Sequence, residues 1–241
     1  MPVLKTARKL IFPDQCLSCG ELVQGDSGLC GPCWGRTPFI LGPTCDLCGV
    51  PLMGSDPGRS VLCDECHQMA RPWTKGRSVM VYQGEARRLI LGLKHGDRQE
   101  LAPAMGRWMA ARAEPLMQPN MLVVPVPLHW KRLLKRKYNQ AALLSHHLAR
   151  ASGLKTCPDL LTRCVHTRPQ DDIGVDARFA NLSGAIAVHP KRCERVEGRS
   201  VLLVDDVMTS GATLTACANV CLSAGASEVH VMTLARVSLE A

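Results

Sequence analysis

Aromatic residues are scarce in this 241-residue chain: four Trp, two Tyr and three Phe make up only 4% of it. Proteins that grip single-stranded nucleic acid stack bases on aromatic side chains, so a stacking surface is poorly provided for. Long apolar runs are also missing. An unbroken stretch such as Val201-Leu202-Leu203-Val204 suits a buried strand and falls far short of the roughly 18 residues of a membrane span. The start of the chain, Met1 to Phe12, has no apolar segment of roughly 7–15 residues and no small-residue cleavage site, so a soluble, cytoplasmic chain without a secretory leader is expected. No Gly-Lys-Ser/Thr occurs, which excludes a Walker A loop. Acidic residues vanish between Pro115 and Pro158, where Lys131, Arg132, Lys135, Arg136, Lys137, Arg150 and Lys155 stand unopposed.

That gap explains much of the net charge of +8, because residues 1–77 are close to neutral, with eight basic and seven acidic side chains. A concentrated positive excess suits a polyanionic partner such as a phosphate ester, a nucleic acid or an anionic surface. The apolar share of 46% supports a real core, and 21% charged residues is ordinary for a globular protein. The length fits one catalytic-sized unit with a smaller appendage.

Thirteen cysteines mark that appendage, and eight of them form four Cys-x-x-Cys pairs: Cys16/Cys19, Cys30/Cys33, Cys45/Cys48 and Cys63/Cys66. In a reducing compartment these are metal ligands rather than disulfides. Two residues between thiolates let a tight turn aim both sulfurs at one ion, and two such turns complete a tetrahedral shell. The first and third pairs run into Gly20 and Gly49; the second and fourth do not. The half-motifs therefore repeat with a period of about thirty residues, giving two zinc ribbons in series. Sequential sites, Cys16/Cys19/Cys30/Cys33 and Cys45/Cys48/Cys63/Cys66, are the favoured pairing, with a crossed arrangement as the alternative. Four thiolates leave no open position, so the zinc is structural. His67 follows the last pair and is expected in solvent. Cys157, Cys164, Cys193, Cys217 and Cys221 lack ligand spacing; Cys217 and Cys221, four apart on a predicted helix, are read as core. Trp34, Trp73 and Trp108 are expected at the junction or in the core.

From about Val79 the pattern becomes that of an α/β protein. Strands are predicted at 79–82, 121–124, 201–204 and 228–234, alternating with helices at 85–95, 100–113, 139–152 and 213–224. Buried strands alternating with helices indicate a largely parallel sheet flanked by helices. Residues 163–183 are polar and weakly periodic, and read as a long mobile loop. The domain division expected is 1–75 for the ribbons and 76–241 for the α/β unit.

The sharpest segment is Val201-Leu202-Leu203-Val204-Asp205-Asp206-Val207-Met208-Thr209-Ser210-Gly211-Ala212-Thr213-Leu214. A buried strand delivers two acids to the sheet edge where open α/β folds bind ligands. The hydroxyl- and Gly-containing turn then offers successive N–H groups at the positive end of a helix, a cradle for phosphate. The acids would repel phosphate and suit sugar hydroxyls or a magnesium ion. Together they are built to hold a phosphorylated sugar.

This stretch resembles the 5-phosphoribosyl-1-pyrophosphate (PRPP) signature of type I phosphoribosyltransferases. Tyr82-x-Gly84, Leu93-Lys94-His95-Gly96, Val124-Pro125-Val126-Pro127, Arg136-x-Tyr138-Asn139-Gln140, Arg168-Pro169-Gln170 and Arg178-x-x-Asn181 narrow the resemblance to the ComF family. That is the bacterial competence-associated phosphoribosyltransferase-like group, whose members carry an N-terminal zinc ribbon. The resemblance implies a type I phosphoribosyltransferase-like fold, with Asp205 and Asp206 on the ribose hydroxyls. It puts Thr209, Ser210, Gly211, Ala212 and Thr213 around the 5-phosphate, and Arg136, with Lys94 as a second candidate, at the pyrophosphate. Arg168, Gln170, Arg178 and Asn181 would belong to a lid. Where the family has glycine, this chain has Lys137, which puts the local loop geometry in question. The implied chemistry is displacement at the anomeric carbon with magnesium and release of pyrophosphate. The acceptor is not specified. The resemblance also suggests a homodimer and, as an alternative to catalysis, a DNA-uptake factor meeting single-stranded DNA or a helicase.

Overall fold

The computed structural model describes residues 13–23, 28–55, 58–164 and 184–238, and within these the side chains of Lys131, Arg132 and Lys135 are left aside. Its centre is a five-stranded sheet in the order β1-β7-β6-β2-β3. The strands are β1 Lys75–Val81, β2 Leu122–Pro125, β3 Lys155–Thr156, β6 Ser200–Met208 and β7 Glu228–Arg236. Every neighbouring pair is parallel. A small antiparallel ribbon, β4 Leu161–Arg163 with β5 Ile186–Val188, stands apart.

Parallel strands are covered on both faces, so their side chains are apolar in succession and sort by alternation. In β6, Leu202 and Val204 face one core, and Val201 and Leu203 face the other. The first core is closed by α3 Gly84–His95, α4 Ala102–Ala113 and α6 Gln140–Ser152. The second is closed by α7 Ala212–Ser223. Cys217 and Cys221 are buried there, where desolvation pushes both thiols up, Cys221 to about 12. They are inert hydrophobes in the core, as expected, while Cys164 and Cys193 are exposed.

The cysteine pairs build two compact knuckle-and-helix units, with α1 Gly31–Arg36 in the first and α2 Asp64–Gln68 in the second. They straddle the β1 edge. Cys16, Leu29 and Cys33 join the first core; Cys45, Cys48 and Cys66 join the second. Between them the chain passes along β1, where Ile40 N–H donates to the Val79 carbonyl at 2.8 Å and Val81 N–H to Pro38 at 3.0 Å.

The two units are seated differently. The first rests on side chains: Trp34 stacks on Phe39 with centroids 4.3 Å apart, and Trp108 meets both rings edge-on. Ser18 and Arg88 both meet the Glu85 carboxylate. The second is seated backbone on backbone. Gly76 N–H donates to the Asp46 carbonyl at 2.6 Å. A Cβ on Gly76 would lie 2.2 Å from the Leu47 oxygen, and one on Gly49 would lie 2.5 Å from the Ser78 nitrogen. Trp73, buried, donates its indole N–H to the same Leu47 carbonyl at 2.6 Å.

Two elements differ from the sequence reading. The strand bearing the paired acids runs on to Met208, so Asp205 and Asp206 lie inside β6, opposite Thr233 and its neighbour in β7, rather than beyond its end. The basic segment, which carried no predicted element, forms α5 Trp130–Arg136. Its apolar Trp130, Leu133 and Leu134 have the i, i+3, i+4 spacing of a helix face, yet all three are exposed. No helix among the described residues is long and apolar enough to cross a membrane.

Candidate functional site

A cavity of about 640 Å³ opens at the carboxyl ends of the strands. Six parts of the chain converge on it: Asp205, Asp206, Thr209 and Thr213 from β6 and the start of α7; Val126 to Leu128 after β2; Arg136 to Ala141 between α5 and α6; Lys94, His95 and Asp97 at the end of α3; Tyr82 after β1; and Arg163 ending β4. Parallel strands all point the same way, so their loops meet on one side of the sheet.

The acids are not equivalent. Asp206 is buried, and its Oδ2 lies 3.2 Å from the Lys94 ammonium. Desolvation, and then the adjacent Asp206 charge, raise Asp205 to about 7, although Lys94 and Arg163 oppose this. Asp205 Oδ1 also accepts from the Asp206 N–H at 2.8 Å.

Beyond the acids the turn is fixed from behind. Gly211 adopts a φ of 79°, and a Cβ there would lie 2.8 Å from Arg71 Nη1. Arg71 donates to the Ser210 carbonyl at 2.7 Å and Arg236 bonds the carbonyls of Met208 and Thr209. Both guanidiniums meet the Glu65 carboxylate, at 2.6 Å each. Ser210 Oγ is buried and has no hydrogen-bond partner among the described residues. The twelve-residue α7 begins at Ala212, so its positive end faces this turn.

On the opposite wall, Lys137 takes a φ of 66° in spite of its Cβ. Its ammonium reaches Asp97, itself at φ 55°, at 2.8 Å. The left-handed turn that glycine would form is thus retained. Asn139 caps α6 by accepting from Ala141 N–H at 3.0 Å and ties the loop to β2 through Val126. Tyr138 donates its hydroxyl to the Leu93 carbonyl at 2.6 Å, joining this loop to α3.

Of the residues singled out from the sequence, Asp205, Asp206, Thr209, Thr213, Arg136 and Lys94 line one cavity. Ser210, Gly211 and Ala212 are not among its lining; Ser210 and Ala212 are buried in the turn. Lys94, expected at the pyrophosphate, is engaged with Asp206. Arg168, Gln170, Arg178 and Asn181 lie outside the described residues. Arg163 and Gln140 line the cavity without having been given a role. Gln140 is buried, accepts from Arg136 Nη1 at 3.4 Å, and its amide nitrogen has no partner among the described residues. Its place beside Arg136 in the Arg-x-Tyr-Asn-Gln run was the available signal. Arg163 carried none, standing at the edge of a polar segment.

The metal ligands form two sets. The Sγ atoms of Cys16, Cys19, Cys30 and Cys33 lie within 4.8 Å of one another, as do those of Cys45, Cys48, Cys63 and Cys66. This is the sequential grouping, not the crossed one. Sulfurs about 2.3 Å from a central zinc stand about 3.8 Å apart at tetrahedral corners. The Cys19–Cys30 and Cys48–Cys63 separations of 3.7 and 3.6 Å match, so both sets fit zinc. His67 is exposed and belongs to neither set.

Comparison with known proteins finds two family models in the chain. Residues 7–67 match the double zinc ribbon domain family and residues 163–238 the phosphoribosyl transferase domain family. DNA utilization protein YhgH of Escherichia coli K12 is 31% identical over 94% of this chain and 99% of its own length. Competence protein F of Haemophilus influenzae is 29% identical over 93% and 98%. Competence protein ComFC of Bacillus subtilis is 24% identical over 89% and 87%.

Proposed function

Because this chain belongs to the ComF family, its relatives spanning nearly its whole length, we propose that it binds PRPP in the 640 Å³ cavity and transfers its phosphoribosyl group to an acceptor, releasing pyrophosphate. The observation that carries this reading is the convergence of paired acids, a hydroxyl-bearing turn and a basic wall on one opening. We take residues 1–75 as the ribbon module and 76–241 as the transferase-like domain.

The ribose hydroxyls sit on Asp205 and Asp206. The 5-phosphate takes the turn from Thr209 to Thr213, with the α7 dipole behind it and Ser210 as a donor in waiting. The pyrophosphate faces Arg136, whose planar guanidinium matches phosphate oxygens in pairs, and the Gln140 amide supplies a further donor. Lys94, 3.2 Å from Asp206 Oδ2, orients that carboxylate to accept from a sugar hydroxyl. As the C–O bond to pyrophosphate stretches, positive charge grows on the anomeric carbon, as in glycoside cleavage. Fixed carboxylates below and cations beyond it stabilise that separation.

Magnesium suits this donor set as an ion arriving on substrate oxygens, since Asp206 is already paired and Asp205 has a raised pKa. When bound, it neutralises charge on the departing pyrophosphate. Zinc in the two cysteine sets is structural.

The test is calorimetric titration of the zinc-loaded chain with PRPP and magnesium, followed by a screen of bases and nucleotides for release of pyrophosphate. Binding that Asp205→Ala and Asp206→Ala abolish is the expected result; no heat with wild type overturns the reading. The names of the relatives favour a second reading, a DNA-handling factor without catalysis. It requires DNA affinity that is indifferent to those two substitutions and steeply dependent on salt.

A further inference from the structure

We propose that Glu65 is a positioning residue through which the second ribbon sets the phosphate turn. This deepens, and rests on, the assignment of residues 209–213 to the 5-phosphate. Glu65 lies between Cys63 and Cys66 on α2 and touches none of the cavity. One carboxylate oxygen holds Arg71 and the other holds Arg236, whose side chains are 0% and 5% exposed. Those guanidiniums hold the carbonyls of Ser210 and Thr209. A trans peptide aims its N–H opposite to its C=O, and no peptide among the described residues is cis. Drawing the Thr209 and Ser210 carbonyls toward Glu65 therefore turns the N–H groups of Ser210 and Gly211 the other way, the orientation an anion cradle requires.

The backing is continuous. Arg71 lies over the Trp73 ring at 5.4 Å, Trp73 bonds the Leu47 carbonyl in the Cys45–Cys48 knuckle, and Gly211 is seated against both side chains. The cysteine set that fixes α2 thereby fixes Glu65. The first ribbon contacts α3 and α4 instead and has no such route to the turn among the described residues. Loading of the second set, not the first, governs phosphate affinity.

The zinc-loaded full chain is titrated calorimetrically with ribose 5-phosphate and, separately, with magnesium pyrophosphate. Glu65→Gln keeps the shape but can accept from only one guanidinium. It is expected to lose about tenfold or more in ribose 5-phosphate affinity while pyrophosphate affinity stays within about twofold and zinc stays at two per chain. Glu85→Gln, which breaks the corresponding contact of the first ribbon, is expected to change neither. Unchanged ribose 5-phosphate affinity in Glu65→Gln, or equal loss for both probes, overturns the proposal. Wild type that takes up neither probe overturns the phosphate assignment itself. Hydrogen exchange on wild type serves if the variant fails to fold. Adding ribose 5-phosphate must protect amides of residues 63–73, which the ligand does not touch, because coupling is reciprocal; absence of protection also overturns the proposal.

Discussion

Lys94 and Asp206 meet at 3.2 Å in the cavity, beside Asp205, whose desolvation and like-charged neighbour Asp206 raise its pKa. The consequence is a titration near neutrality. Asp205 rises from 3.8 to about 7 in the folded chain. Over that interval the folded state keeps a proton that the unfolded chain has released. The unfolded state then binds fewer protons, so stability falls as pH rises from about 4 to 7. Asp205→Asn removes the effect. Thermal midpoints measured from pH 5 to pH 8 should decline in wild type and decline less in the variant, which becomes the more stable of the two at pH 8.

Lys94→Ala moves the same titration upward. The Lys94 charge lowers the Asp205 pKa, and its removal leaves the two carboxylates less screened from one another. Carbon-detected NMR of the Asp205 carboxyl should place its midpoint above the wild-type value, and an unmoved midpoint would refute the pairing.

Arg136→Ala separates the two ends of the ligand. A charge-assisted hydrogen bond contributes about 1.5–3 kcal/mol, so pyrophosphate affinity should drop about 10- to 100-fold. Ribose 5-phosphate affinity should hold. Gln140→Ala should show a smaller loss in the same direction, since its amide is neutral.

Gly76→Ala tests the seating of the second ribbon. Its Cβ would lie 2.2 Å from a backbone oxygen, an atom that cannot swing aside as a side chain can. The expected loss is about 3 kcal/mol or more, with release of zinc from one set on mild chelation. Gly35→Ala, whose Cβ meets nothing within 4 Å, is the control.

Lys137→Gly should leave the fold intact. Glycine adopts the observed φ of 66° without strain, while the exposed contact with Asp97 is lost. These effects oppose one another, so the thermal midpoint should stay within about 3 °C of wild type.

The parts legible in the sequence are those in which chemistry and spacing are the same thing. Four Cys-x-x-Cys pairs can close two tetrahedra whatever surrounds them, and Val201 to Asp206 states strand, acids and sheet edge in six letters. Contacts between distant segments were not legible. The clamp of Glu65 on Arg71 and Arg236 joins residues 171 positions apart at its longest link, and nothing in a helix of five residues announces it. Lys94 was read as a second candidate for the pyrophosphate, and nothing in its local sequence announced its contact with Asp206, 112 positions away. Lys137 suggested a distorted loop, yet the Asp97 carboxylate was there to meet it. The α5 helix escaped notice although Trp130, Leu133 and Leu134 carry the i, i+3, i+4 spacing of a one-sided helix, because the segment was read for its charge alone.

The passage of Pro38 to Ile40 along β1 carries a consequence for assembly. An outermost strand normally offers a ladder of open amides and carbonyls to any extended chain that drifts by. Here Val79 and Val81 are already spoken for. At the far side of the sheet, β3 contributes only two residues, too short a rail for a second copy to zip onto. Among the described residues, the two edges of the five-stranded sheet therefore offer little open backbone for a further strand to extend.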